Sequence, residues 1–223
     1  MLKPIFITST GTNIGKTYLT NLLIKRALKL NYKINAIKPI ISGFNIAKLE
    51  ETDSGIILKA LSMDKRRIDE ISPWRFKDPL SPDMAAKLAK KEINFKEIIN
   101  YCNSYIKSKK DDDILLIEGV GGTMVPINSK YTILDLIKKL NIPIILTIGS
   151  YLGSISHTLN SYEVLIKNNV NINSIVLNES NQNNVGMELI KSSLLNYIKT
   201  IPIYSINRGH KNNNIVDKIL DNL

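Results

Sequence analysis

A doubly wound α/β fold, with a mostly parallel sheet flanked by helices, is predicted by three features of the sequence. Short apolar, β-branched runs alternate with longer helical patterns along the 223 residues. Several runs are apolar at nearly every position, as strands covered on both faces are. The first run passes through a small-residue loop into a helix, the connection on which ligand-binding α/β sheets are built.

Strands are expected at 4–8, 33–37, 114–118, 143–148, 174–177 and 202–205, and helices near 16–30, 83–91, 95–109, 132–140, 154–169, 185–198 and 213–221. The first helix places Leu19, Leu22, Leu23, Arg26, Ala27 and Leu30 at three- and four-residue spacing, which gathers the apolar ones on one stripe. The run Lys109-Lys110-Asp111-Asp112-Asp113 reads as a solvated turn before the third strand, and the Asn/Lys-rich stretch 207–214 as a loop before the last helix. No composition shift, internal repeat or long linker divides the chain, so residues 1–223 are expected to form a single domain.

Composition excludes several classes. Hydrophobic residues make up 43% and charged residues 22%, which is ordinary for a soluble protein and rules out collagen-like, mucin-like and wholly disordered chains. The longest apolar runs, such as Ile142-Pro143-Ile144-Ile145-Leu146, are too short to span a bilayer. The apolar run after Met1-Leu2-Lys3 stops at Thr8, so no export signal is expected, and the lone Cys102 fits a reducing cytoplasm. The net charge of +10 comes with 25 Lys against 5 Arg, scattered along the chain. That pattern is a compositional bias, in part explained by an anionic substrate or nucleotide, and no nucleic-acid or membrane partner is expected. The C-terminal stretch 215–221 carries both charge signs, unlike a basic amphipathic anchor.

The most informative stretch is Phe6-Ile7-Thr8-Ser9-Thr10-Gly11-Thr12-Asn13-Ile14-Gly15-Lys16-Thr17. Backbone N–H groups in a strand–loop–helix of this kind converge on phosphate oxygens, and the helix N-terminus adds its positive end. Gly15 allows close backbone approach, Lys16 would meet the terminal phosphates, and the Thr17 hydroxyl would hold Mg²⁺. A strict phosphate-loop spacing has glycine at position 10, where this chain has Thr10. The fold is therefore expected to be of the phosphate-loop NTPase kind, and no dinucleotide fingerprint follows the first strand.

Three further residues stand at strand ends or helix starts. Lys38, in Ile37-Lys38-Pro39-Ile40-Ile41-Ser42-Gly43, lies past the second strand, where ligands bind in a parallel sheet; alone it also reads as one more surface lysine. Asp53, in Thr52-Asp53-Ser54-Gly55, reads either as a helix N-cap or as a Mg²⁺ carboxylate. Glu118 ends the apolar run Leu115-Leu116-Ile117 and precedes Gly119-Val120-Gly121-Gly122. A charge there is poorly explained by packing and points to a metal or nucleotide role, with the glycines allowing close approach.

With these residues in order, the chain resembles the dethiobiotin synthetase family over nearly its whole length. The resemblance rests on the loop from Thr8 to Thr17, on Lys38 through Gly43, Asp53, Pro79-Leu80-Ser81-Pro82, Glu118 through Gly122, and Leu152-Gly153 through His157. It implies a homodimer that uses ATP and Mg²⁺ to join CO₂ (or bicarbonate) to 7,8-diaminopelargonate and close the ureido ring of dethiobiotin. It further implies that Lys16 and Lys38 steady the carbamate and the transferring phosphoryl group, and that Thr12 and Ser42 touch the diamine or carbamate together with Lys38. Thr17, Asp53 and Glu118 would hold Mg²⁺. The nucleotide would lie against Asn13, Ile14, Gly15, Lys16, Thr17, Tyr18, Asp53, Glu118, Gly119, Val120 and Gly121, with Asn178 at the adenine edge. The Leu152–His157 region would help hold the substrate's carboxylate tail across the dimer, with His157 structural or interfacial. Cys102 reads as packing. In this chain Ser9-Thr10-Gly11-Thr12 stands where the family usually has Gly-Thr-Asp-Thr, Ser156 replaces a frequent Asn, and Glu179 a frequent Asp. The rival readings are another phosphate-loop synthetase and a nucleotide-switched partition or positioning ATPase. The latter typically carries an early Lys-Gly-Gly, which Ser9-Thr10-Gly11 lacks.

Overall fold

A computed structural model of the chain describes residues 2–108, 114–181, 185–209 and 212–223. Its main sheet has the order β2 (Ile34–Ile37), β5 (Ile114–Glu118), β1 (Lys3–Ser9), β6 (Ile144–Gly149), β7 (Ile172–Asn178), β8 (Ile203–Ile206). Every neighbouring pair in it is parallel. β1 is central: Phe6 registers with Ile117 on one side and Ile144 on the other. From β1 the chain winds outward through α1 (Lys16–Lys29) to β2, and from β6 it winds the other way through α7 (Ser154–Lys167) to β7. The crevice beyond the carboxyl ends of β1 and β6 is therefore the switch point at which ligands bind in such sheets.

Alternate residues of each strand enter two separate cores. Ile5, Ile7, Ala36, Leu116, Ile145 and Val176 pack with Leu19, Leu23 and Ile24 of α1, Ile57 and Leu58 of α2 (Asp53–Ala60), Ile68 and Ile71 of α3 (Ile68–Ile71), and Val216 and Ile219 of α9 (Asn213–Asp221). Phe6, Leu115, Ile117, Leu146, Ile148 and Leu177 face the opposite layer. That layer is built from α4 (Pro82–Leu88), α5 (Phe95–Lys107), α6 (Ile133–Leu140), α7 and α8 (Met187–Leu195). Burial of each such side chain stabilises the fold by about 1.5–3 kcal/mol, so burial on both faces explains why these strands read as continuous apolar runs. Side chains fix the starts of α5 and α6. Asn94 accepts from the amides of Lys96 and Glu97 ahead of α5, and Thr132 with Asp135 forms a capping box on α6.

The expected strands and helices are all present, with ends that match or shift by at most three residues. Four further features were not foreseen. β3 (Ile40–Ser42) and β4 (Trp74–Phe76) pair in parallel as a separate small sheet, α3 is a single short helix, and 3₁₀ turns occupy Ile46–Glu51 and Lys65–Arg67. Their three- to six-residue lengths are too short for periodicity to register. The N-cap of α2 is Thr52, whose side chain accepts from Gly55 N–H, so Asp53 is the first helical residue and not the cap. That correction frees its carboxylate for other contacts. The charged turn 109–113 lies outside the described residues, as do 210 and 211 of the expected 207–214 loop, which ends where α9 begins at Asn213. No helix among the described residues is long and apolar enough to cross a membrane.

Candidate active site

Residues 10–15 carry the chain from β1 into α1. Asn13 takes a left-handed conformation (φ 60°) and so does Gly15 (φ 91°), the residue that starts the helix. Asparagine tolerates this region, and glycine is required at the second position for a further reason. A Cβ on Gly15 would sit 2.5 Å from Asn178 Nδ2. Asn178, at the end of β7, donates that amide to Ile14 O (3.0 Å) and Gly15 O (3.2 Å), bracing the loop from outside. Its Oδ1 is buried without a hydrogen-bond partner.

The missing glycine of the standard spacing is offset from across the sheet. A Cβ on Gly122 would lie 3.1 Å from Gly11 N and 3.2 Å from Gly11 Cα, so the loop after β5 packs directly on the phosphate loop. Ser9, fully buried at the end of β1, ties the two together. Its Oγ lies 2.6 Å from Gly11 O and 3.1 Å from Gly121 O. The Lys16 ammonium completes the arrangement, donating to Ser9 Oγ (3.0 Å), Gly11 O (3.2 Å) and Gly121 O (2.7 Å). Burial, then the nearby Lys38 cation, lower the Lys16 pKa to about 8 against the opposing pull of Glu118 and Asp53.

Glu118 is the centre of the site. It is 1% exposed and its Oε1 accepts from Thr17 Oγ1 (2.6 Å) and Lys38 Nζ (2.6 Å), its Oε2 from Thr20 Oγ1 (2.6 Å). Lys38 is 2% exposed and also pairs with Asp53 Oδ2 at 2.9 Å. The surface-lysine reading of Lys38 is therefore overturned: residues 38–39 join β2 to β3 and turn the ammonium inward. Burial alone pushes its pKa down, but Glu118 and Asp53 together outweigh burial and raise it, so Lys38 is a fixed cation. Asp53 is held below the usual carboxylate range: burial opposes this, and Lys38, Thr17 and Lys16 overcome it. Breaking a buried pair by removing one partner strands the other charge, which is why these groups act as a unit.

The geometry thus gathers Lys16, Thr17, Lys38, Asp53, Glu118 and Gly121 into one cluster, with Gly119 and Val120 in the adjoining chain. Asn13, Ile14, Tyr18 and Asn178 flank it on the loop side. Thr12 is exposed on the loop, and the Ser42 hydroxyl at the end of β3 is buried without a partner. Neither touches the cluster through a direct hydrogen bond. His157, on α7, pairs with the Tyr151 hydroxyl at 2.9 Å through Nδ1. Ser9 and Thr20 are the contributors that sequence reasoning passed over. Thr20 stands out only as a hydroxyl one turn after Lys16 on a buried, leucine-rich helix face.

Residues 3–205 match the family described as an AAA domain. A protein from Acidiphilium cryptum named ATP-dependent dethiobiotin synthetase BioD is 36% identical over 204 residues, covering 90% of this chain and 91% of that protein. The protein of that name from Phenylobacterium zucineum is 38% identical over 177 residues, covering 78% and 75%. One from Clostridium botulinum (strain Alaska E43 / Type E3) is 34% identical over 209 residues, covering 92% and 90%. Among solved structures, the MinC:MinD cell division complex of Aquifex aeolicus has a TM-score of 0.56 at 15% identity, over 97% of this chain and 86% of that one. A plasmid partition protein from Borrelia burgdorferi has a TM-score of 0.55 at 14% identity, over 100% and 98%. Those two likenesses establish the phosphate-loop fold alone, and the partition-ATPase reading gains nothing further from them. Sequence identity of this extent, over nearly whole chains, decides the family: the chain belongs to the ATP-dependent dethiobiotin synthetases and is a ligase.

Proposed function

We propose that the protein carboxylates 7,8-diaminopelargonate with CO₂ and closes the ureido ring at the expense of ATP, yielding dethiobiotin, ADP and phosphate. One amine adds to CO₂ and loses a proton, giving a carbamate. A carbamate oxygen takes the γ-phosphoryl group and ADP leaves. The second amine then attacks the carbonyl of the mixed carbamic–phosphoric anhydride and expels phosphate. The observation that carries this reading is the pair of buried lysines at the phosphate loop, one of them held permanently cationic by two carboxylates.

The chemistry demands such a cluster. Attack of a carbamate on ATP brings two anions together, so positive charge fixed in advance lowers the barrier more than any general base. Lys38 would neutralise the carbamate and the phosphoryl oxygens in flight. Lys16 would leave its three loop acceptors and follow the terminal phosphates. Thr12 and the partnerless Ser42 hydroxyl would orient the diamine or its carbamate. Asn178 Oδ1, the free acceptor beside the loop, would take a hydrogen bond from the adenine amino group.

Mg²⁺ fits the residues present. Thr17, Asp53 and Glu118 supply one hydroxyl and two carboxylates, all hard oxygen donors, with both carboxylates on the Lys38 ammonium and the Thr17 hydroxyl on Glu118. No group of three or more His, Cys, Asp or Glu among the described residues could cage a metal alone. That suits an ion completed by phosphate oxygens and water. When bound, Mg²⁺ supplies neutralisation of the polyphosphate charge.

The test is ADP release from Mg-ATP and bicarbonate, with and without 7,8-diaminopelargonate, alongside mass detection of dethiobiotin. Diamine-dependent ADP matched by dethiobiotin is expected. Diamine-independent hydrolysis, or none, would overturn the reaction while leaving the fold untouched.

A further inference from the structure

Glu118 shares its two carboxylate oxygens unequally. Oε1 faces the site, where Thr17 and Lys38 reach it. Oε2 faces back into α1, where Thr20 Oγ1 lies at 2.6 Å. Thr20 is fully buried in the second turn of that helix. Its hydroxyl carries one hydrogen and has two acceptors in reach: Glu118 Oε2 at 2.6 Å and, one turn back, Lys16 O at 3.0 Å. Bonding to the preceding turn is the ordinary habit of a helical threonine. Here the shorter contact and the charge on the acceptor decide for Glu118, because hydrogen bonds to an ionised oxygen are about twice as strong as neutral ones.

We propose that Thr20 is a positioning residue that pins Glu118 Oε2 to α1 and thereby aims Oε1 at the divalent cation. The inference rests on the reading of Glu118 as a metal ligand. Thr17 and Lys38 both sit on Oε1, the oxygen a cation would use, so both must rearrange when the site fills. Among the described residues Thr20 is the donor to the far oxygen, so its contact persists through the cycle and fixes the carboxylate's rotation. Without it the carboxylate is free to turn about its last torsion, and a second oxygen is left in a dry environment with no donor. The arrangement also ties the loop-bearing helix α1 to β5.

The experiment is a Mn²⁺ titration of the protein·ADP complex by electron paramagnetic resonance, comparing wild type with Thr20→Val, Thr20→Ser and Glu118→Gln. Loss of an outer-shell partner weakens metal binding by about 10–100-fold, and Thr20→Val is expected at the lower end of that range. Thr20→Ser, which keeps the hydroxyl, restores wild-type affinity. In turnover assays Thr20→Val needs more Mg²⁺ while its KM for the diamine stays unchanged, a split that a loosened core would not give. A Thr20→Val protein that melts earlier yet binds Mn²⁺ as tightly as wild type overturns the proposal; Thr20→Ala is read in the same way if the valine variant does not fold. Unaltered Mn²⁺ binding in Glu118→Gln overturns the metal-ligand reading itself, and the proposal with it. Weakening in Glu118→Gln alone overturns only the role of Thr20.

Discussion

At the scale of single residues, the site works because charges were removed from water only in company. Lys38 is buried against Glu118 and Asp53, so Lys38→Ala should do two separable things. It leaves Glu118 buried without a cation, at a stability cost of about 3 kcal/mol. It also removes charge stabilisation in phosphoryl transfer, and turnover should fall by about 100-fold or more. A folded variant with near-normal turnover, measured by dethiobiotin formation, would remove Lys38 from the chemistry. Asn178 makes a second prediction. Its amide is locked onto the Ile14 and Gly15 carbonyls, which leaves Oδ1 as the unpaired atom proposed to meet the base. Adenine offers a donor there and guanine an acceptor, so GTP should be used about tenfold or more less efficiently than ATP, the penalty of an unpaired polar contact. Equal kcat/KM for the two nucleotides would sink this assignment. Lys16, Thr17, Lys38, Asp53 and Glu118, which the structure brings together, stood out in the sequence because a charge or a motif sits at a strand end or a helix start. Ser9 and Thr20 did not, since a small hydroxyl residue in a buried segment looks the same whether it fills space or holds a carboxylate.

At the scale of elements, legibility followed length and period. The long helices and doubly buried strands announced themselves, whereas β3 and β4, three residues each, lie between Pro39 and Gly43 and after Pro73 with no pattern to repeat. Yet β3 follows directly on Lys38, the buried cation of the site, and ends in Ser42. Helix α5 shows what periodicity does specify: Phe95, Ile98 and Cys102 are buried along one stripe. Burial pushes the Cys102 thiol up to about 12. An ordinary thiol titrates near 8.5, so the folded state prefers the protonated form. The sign follows: this preference is fully present below the unfolded pKa and fades as pH rises from about 8.5 toward the folded value. Cys102 should therefore resist a thiol reagent at neutral pH in the native protein and react at once in denaturant, and alkaline pH should lower the denaturation midpoint. Fast native labelling would mean that α5 opens readily or packs differently.

At the scale of the whole molecule, an apolar row lies open along one helix. Leu80, Met84 and Leu88 recur at four-residue spacing along and just before α4, and are 42%, 56% and 61% exposed. A row of large apolar side chains on one helix face is what a buried partner surface requires, and a scattered distribution is what a bare one shows. The family resemblance implies a homodimer and assigns its tail-holding contact to Leu152–His157, and a charge on α4 tests whether the apolar row belongs to that interface as well. Met84 lies on α4, whereas the cluster of Lys16, Lys38 and Glu118 is built from α1, β5 and the turn after β2. Met84→Glu places a charge amid the apolar row without touching those residues. If the row joins two copies, sedimentation of Met84→Glu should show a monomer where the wild type sediments as a dimer. ATP affinity should stay the same, because every group proposed to contact the nucleotide comes from one chain, while KM for the diamine rises. A wild-type monomer with normal KM would remove the dimer from the reaction. A Met84→Glu dimer with unchanged KM would instead move the interface elsewhere on the molecule.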